Sequence, residues 1–144
     1  ESRGLGDVYK RQLHVGDSRV YEITSGIRQL TADQTLVARE IAAGRLTPEQ
    51  AETDSRRSVL LQCIGASPVV EPDFVVGQAA PGAHYMLCSD GFRHKITPQE
   101  MIERLGPGTC IDEAKMKEGC EFLTELVKYR KETDNVTVVL IKSE

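Results

Sequence analysis

Three short stretches carry side chains able to do chemistry: His14-Val15-Gly16-Asp17-Ser18-Arg19, Leu87-Cys88-Ser89-Asp90-Gly91-Phe92 and Thr133-Asp134-Asn135-Val136-Thr137-Val138. Each sets an aspartate where an apolar run ends or begins. Asp90 follows one such run and Asp134 precedes another. If those runs are antiparallel neighbours, the two carboxylates meet at one rim of a sheet, and Asp17 can join them. Oxygen clusters of this kind suit hard divalent cations. Two ions about 3.5–4 Å apart activate a water for attack at phosphorus. Aspartates without a histidine or cysteine set favour magnesium or manganese over zinc. Each of Asp17-Ser18, Asp90-Gly91 and Asp134-Asn135 is also an ordinary turn or cap pair, and spacing alone does not separate the two readings.

The elements that must position these aspartates follow from periodicity and punctuation. A short apolar piece at 13–15 ends in Gly16-Asp17. Alternation over 19–24, a Ser25-Gly26 turn and 27–30 read as a hairpin. Thr31-Ala32-Asp33 reads as the cap of a helix over Leu36, Val37, Ile41 and Ala42, ended by Gly44. Thr47-Pro48-Glu49 opens a second short helix. Strands are expected at 59–64, 72–76 and 85–88, and Val136 to Ile141 reads as a closing, buried strand. Thr97-Pro98-Gln99-Glu100 opens a helix stopped by Gly106-Pro107-Gly108. A long helix is expected over 111–129, with Gly119 a weak point in it. The order is α+β, with predominantly antiparallel pairing.

The chain has 144 residues, 40% apolar and 28% charged, with a net charge of −4. That is enough for one domain with a core. An acidic chain without basic runs is a poor partner for nucleic acid. No apolar run approaches the roughly 20 residues of a membrane span. Cys63, Cys88, Cys110 and Cys120 form no Cys-x-x-Cys pair, and Cys63 and Cys88, in apolar runs, read as buried reduced thiols of a cytoplasmic protein. His14, His84 and His94 are not spaced as a metal set, and His94 reads as a surface or loop residue. Ser89 lacks the partners of a serine nucleophile. Glu113, Lys117, Glu121, Glu125 and Lys128 read as a solvated helix face. Residues 2–12 resemble the translation of a sequencing-library adaptor, so 1–12 is set aside as a scar and 13–144 is taken as part of one domain.

Taken together and in order, these motifs resemble those of the type 2C (PPM-type) metal-dependent serine/threonine protein phosphatases of bacteria. The matching residues are Val15-Gly16-Asp17-Ser18-Arg19, Leu30-Thr31-Ala32-Asp33, Gly44-Arg45-Leu46-Thr47, Arg57-Ser58-Val59-Leu60, Ile64-Gly65, Ser89-Asp90-Gly91 and Asp134-Asn135-Val136-Thr137. They span all of 13–144, and the family's first-half motifs are absent, so the resemblance implies a C-terminal fragment. It implies an αββα architecture: an antiparallel two-sheet sandwich flanked by helices. Asp90 and Asp134 match ligands of the dinuclear centre and Asp17 matches an aspartate of a third, weaker site. The complete domain is then expected to hold two or three Mn2+ or Mg2+ ions. Residues 31–57 match a flap beside the site, and Asn135 matches a structural partner.

The implied activity is hydrolysis of phosphoserine and phosphothreonine in proteins by a metal-activated water, with phosphoprotein substrates and a cognate serine/threonine kinase. The fragment itself is expected to be inactive. The competing reading is a non-catalytic regulatory or interaction domain on the same fold; a sporulation-type phosphatase differs from the first reading only in partner. Two departures fall in the flap. Gln34 stands where the family often has histidine, and Asp54-Ser55 stands where histidine-proline often precedes the arginine pair, which bears on substrate choice. Arg19 is not taken as the phosphate clamp, since the family's clamp lies upstream.

Overall fold

The computed structural model describes residues 9–143. The strands are β1 (Tyr9–His14), β2 (Arg19–Ile23), β3 (Ile27–Gln29), β4 (Asp73–Gln78), β5 (His84–Cys88) and β6 (Val138–Lys142). The helices are α1 (Leu36–Ala42), α2 (Pro48–Thr53), α3 (Asp90–Arg93), α4 (Pro98–Leu105) and α5 (Glu113–Tyr129). Strands β3-β2-β5-β6 form a four-stranded antiparallel sheet, and β1 pairs with β4 in a second, two-stranded antiparallel sheet. The expected α+β, two-sheet architecture is thus present. Tyr9–Gln12, within the adaptor-like stretch, pair with 75–78 in β1–β4, and residues 1–8 lie outside the described residues.

One face of the larger sheet carries the core. Tyr21, Ile23, Met86 and Cys88 pack against Phe92, Ile96, Met101, Leu105, Leu123 and Val127, with Val138 and Leu140 completing the face. Fully burying each large apolar side chain is worth about 1.5–3 kcal/mol. Side chains alternate along a strand, so Leu87, Val139 and Ile141 fall on the opposite face, where they are 37%, 50% and 49% exposed. The second sheet is also open, with Phe74 73% and Val76 65% exposed. The strand at the chain's end is therefore half-buried, not buried through, as its β-branched run suggests.

Helix ends follow the cap chemistry, with one displacement. Thr47 and Thr97 form full capping boxes with Gln50 and Glu100, each ahead of a proline in the first turn. The first helix starts later than expected: Thr35, not the 31–33 stretch, caps α1 by accepting from the Ala38 N–H. Thr31 instead turns inward and accepts from the Val20 N–H at 3.0 Å. The strand expected at 59–64 does not form. Only a single bridge joins Leu60 to Thr35, and Val59, Leu61 and Ile64 are exposed, because no neighbouring strand among the described residues runs beside them.

Gly119 is a point of close approach rather than a weakness. A Cβ there would sit 2.5 Å from the Arg104 carbonyl oxygen, so its absence lets α5 lie on the end of α4. Cys88 and Cys110 are buried, whereas Cys63 is exposed, contrary to its apolar surroundings in sequence. Burial pushes the thiols of Cys88 and Cys120 up to about 11, which leaves them protonated near neutrality.

Candidate metal centre

The β5–β6 ladder brings Asp90 and Asp134 to one rim. Cys88 lies opposite Val138, so the end of β5 meets the start of β6. Beyond the ladder, Ser89 continues the stitching. Its N–H donates to the Thr137 carbonyl at 3.0 Å, its hydroxyl donates to the Asn135 carbonyl at 2.9 Å, and its oxygen accepts from the Thr137 N–H at 3.1 Å. Ser89 is thereby a fastener and not a nucleophile. Gly91 then presses directly on the facing loop: a Cβ at this position would lie 2.6 Å from the Asn135 oxygen and 3.2 Å from the Asp134 Cβ.

Each of these two carboxylates is braced by the next residue's backbone. The Gly91 N–H donates to Asp90 Oδ1 at 2.8 Å and the Asn135 N–H donates to Asp134 Oδ1 at 2.7 Å. Asn135 contributes backbone atoms to this arrangement.

Asp17 arrives from the second ladder. Arg19 lies opposite Cys88, which puts the loop before β2 at the same end of the sheet as Asp90. The Asp17 carboxyl is held above its ordinary value, first by burial and then by the negative charge of Asp90, with Arg93 opposing and Asp33 adding to the rise. The three predicted aspartates are thus drawn to one end of the β2-β5-β6 sheet.

Several further residues gather around this end. Arg19 makes a forked pair with Asp33, at 2.8 Å from Nε and 2.7 Å from Nη2, and donates from Nη1 to the Tyr21 hydroxyl at 3.0 Å. That geometry occupies the guanidinium and accords with Arg19 not being a phosphate clamp. Arg93 reaches Asp33 at 3.5 Å and donates to the Asp17 carbonyl at 3.3 Å. Gln34 accepts from the Gly16 N–H and donates its own N–H to the Gly16 carbonyl, both at 2.9 Å. Its side-chain amide donates to Asp73 at 3.0 Å. The base of the 31–57 segment is therefore fastened to β2 by Thr31 and Asp33 and to the Asp17 loop by Gln34. Asp54 pairs locally with Arg56.

Glu132 was not visible as a site residue. Its side chain is 7% exposed, one oxygen accepts from the N–H groups of Thr133 and Asp134, and the other lies 3.8 Å from His94 Nδ1. Burial raises this carboxyl, but the two N–H donors, His94 and Lys95 outweigh it and leave it below its ordinary value. The only sequence signal was an acid two places before Asp134. His94 itself is partly exposed, while His14 and His84 are buried, with His84 Nδ1 2.8 Å from the Leu105 carbonyl oxygen.

The donors are of the right kind for a hard divalent cation, all carboxylate oxygens braced by backbone N–H groups. They are too few: among the described residues no group of three or more histidine, cysteine, aspartate or glutamate side chains is arranged to hold a metal ion. A groove of about 670 Å3 lined by Gln34, Leu61, Val69, Glu71 and Asp73 lies beside the start of the 31–57 segment and includes none of the three aspartates.

In sequence and fold the chain is similar to part of the type 2C serine/threonine phosphatases. A protein phosphatase 2C-type protein of Streptococcus pyogenes is 33% identical over 132 residues, covering 91% of this chain and 52% of that protein. The Mycobacterium tuberculosis serine/threonine phosphatase PstP/Ppp crystal structure superposes with a TM-score of 0.81 at 32% identity, over 94% of this chain and 55% of that one. The PstP catalytic domain in complex with two manganese ions gives a TM-score of 0.77 at 29% identity, over 98% and 56%. No protein-family profile matches the chain. The chain spans about half the length of the relative from S. pyogenes. No helix among the described residues is long and apolar enough to cross a membrane.

Proposed function

We propose that this stretch is the C-terminal half of a metal-dependent protein phosphatase, and that the complete domain hydrolyses phosphoserine and phosphothreonine in proteins. The observation that carries this reading is the meeting of Asp90 and Asp134 at the β5–β6 rim, with Gly91 packed on the Asp134 loop. Asp90 and Asp134 would hold two Mn2+ or Mg2+ ions together with carboxylates from the other half, and Asp17 would serve a third, weaker position. Such ions supply a water made nucleophilic near neutral pH and positive charge for the phosphoryl oxygens. This chain's residues hold the carboxylates in place through backbone N–H bonds and keep Asp17 close through Arg93. The 31–57 flap, fastened at its base to the Asp17 loop, would border the substrate and influence which phosphoprotein is accepted. A serine/threonine kinase acting on the same proteins in the cytoplasm is the expected counterpart.

The same reading makes residues 13–144 inactive alone, since the remaining ligands lie outside them. The test is Asp90→Asn and Asp134→Asn in the complete domain, assayed on a phosphothreonine peptide with and without Mn2+. Each substitution is expected to abolish the Mn2+-dependent rate. Undiminished turnover in either would refute the assignment and favour a non-catalytic role.

A further inference from the structure

We propose that Glu132 is a positioning residue that fixes Asp90 and Asp134 relative to one another, an inference that rests on the metal-centre reading above. One buried carboxylate bonds the Asp134 loop and faces the histidine that stands beside Asp90. Glu132 Oε1 accepts from the Thr133 N–H at 2.9 Å and the Asp134 N–H at 3.1 Å, which sets the path of the loop that carries Asp134. Its Oε2 is buried and has no hydrogen-bond partner among the described residues. That oxygen faces His94 Nδ1 at 3.8 Å, and the other ring nitrogen, Nε2, stands 4.0 Å from Asp90 Oδ2. The imidazole thus stands between Glu132 and Asp90.

The backbone of Glu132 is itself anchored. Its N–H donates to the Val127 carbonyl at 3.0 Å in the last turn of α5, and the preceding Lys131 turns the chain at φ 61°. A half-satisfied buried carboxylate is a poor choice for stability alone, because an unpaired buried oxygen costs free energy. Its placement is explained by what it orients. Partners of this outer kind hold ligands in their binding geometry, and losing them lowers metal affinity about 10–100-fold.

The experiment compares wild type, Glu132→Ala, Glu132→Gln and Asp90→Asn in the complete domain. Mn2+ binding is measured by calorimetry, and amide hydrogen exchange at Thr133 and Asp134 is measured without metal. Glutamine keeps the Oε1 acceptor, so Glu132→Gln should retain amide protection and most of the affinity. Glu132→Ala should lose both, with affinity down about 10–100-fold. The ring signal of His94 should move in both variants. If Glu132→Ala does not fold, Glu132→Gln carries the test: an unmoved His94 signal overturns the proposal. Equal affinity and equal protection in Glu132→Ala and wild type also overturn it. Failure of wild type to bind Mn2+, or binding by Asp90→Asn equal to wild type, instead counts against the phosphatase reading, and the metal-free exchange still decides whether Glu132 orders the Asp134 loop.

Discussion

A single methyl group at Gly91 should disable the rim. The added Cβ would meet the Asn135 carbonyl oxygen at 2.6 Å and the Asp134 Cβ at 3.2 Å. The first distance is not tolerated between a carbon and a backbone oxygen, so Asn135 must retreat by roughly half an ångström or more. The retreating carbonyl is the one that accepts from Ser89 Oγ at 2.9 Å, so that bond lengthens and the Asp134 loop follows. Overpacking costs about 1–3 kcal/mol, and the weakened hydrogen bond adds about 1 kcal/mol. Gly91→Ala should therefore destabilise the complete domain by about 2–4 kcal/mol in urea unfolding, and Mn2+ affinity should fall with it. Gly108, where a Cβ meets nothing within 4 Å, provides the control. A Gly91→Ala protein within about 0.5 kcal/mol of Gly108→Ala, binding Mn2+ normally, would refute the packing argument.

Three further outcomes are expected. Arg19→Lys should replace the forked pair with Asp33 by a single point contact, destabilise the domain by about 1–3 kcal/mol, and speed limited proteolysis within 31–57 more than elsewhere. Glu100, clamped by Arg130 and bonded to the Thr97 N–H, is lowered from 4.5 to about 2. Its contribution is therefore present above about pH 4.5 and lost as pH falls toward 2, and Glu100→Gln should flatten the loss of stability in that window in acid unfolding curves. Residues 13–144 expressed alone should bind a hydrophobic dye and melt without a cooperative transition, because Phe74, Val76, Val139 and Ile141 are open to solvent; a sharp calorimetric transition would contradict this.

Much of this arrangement was legible in the order of residues. Thr47-Pro48 and Thr97-Pro98 announce helix starts because the proline fixes φ while the threonine caps, and both helices begin there. The joining of Asp90 and Asp134 followed from one assumption, that β5 and β6 are antiparallel neighbours, and the ladder supplies it. What failed depended on partners distant in sequence. The 59–64 run has strand composition but no adjacent strand, and composition does not report neighbours. Thr31 resembled a cap but is claimed by the Val20 N–H across the sheet. Gly119 looked costly in a helix until the Arg104 carbonyl occupied the space. Glu132 and Arg93 were hidden because their partners, His94 and Asp17, are set by loop geometry and not by spacing.

The stitching of Ser89 to Thr137 also bears on the order in which the molecule becomes competent. The bonded groups stand 48 residues apart, and Arg93 reaches back 76 residues to the Asp17 carbonyl. Local contacts form early, whereas closures over such separations come late and slowly. Helices α4 and α5, contiguous in sequence and packed on each other, can form before either closure. The rim is therefore a product of the final docking steps: a chain with nearly all its helix in place still lacks it until β6 settles beside β5. Stopped-flow folding of the complete domain, followed by far-ultraviolet dichroism and by Mn2+ uptake, should show the second signal trailing the first.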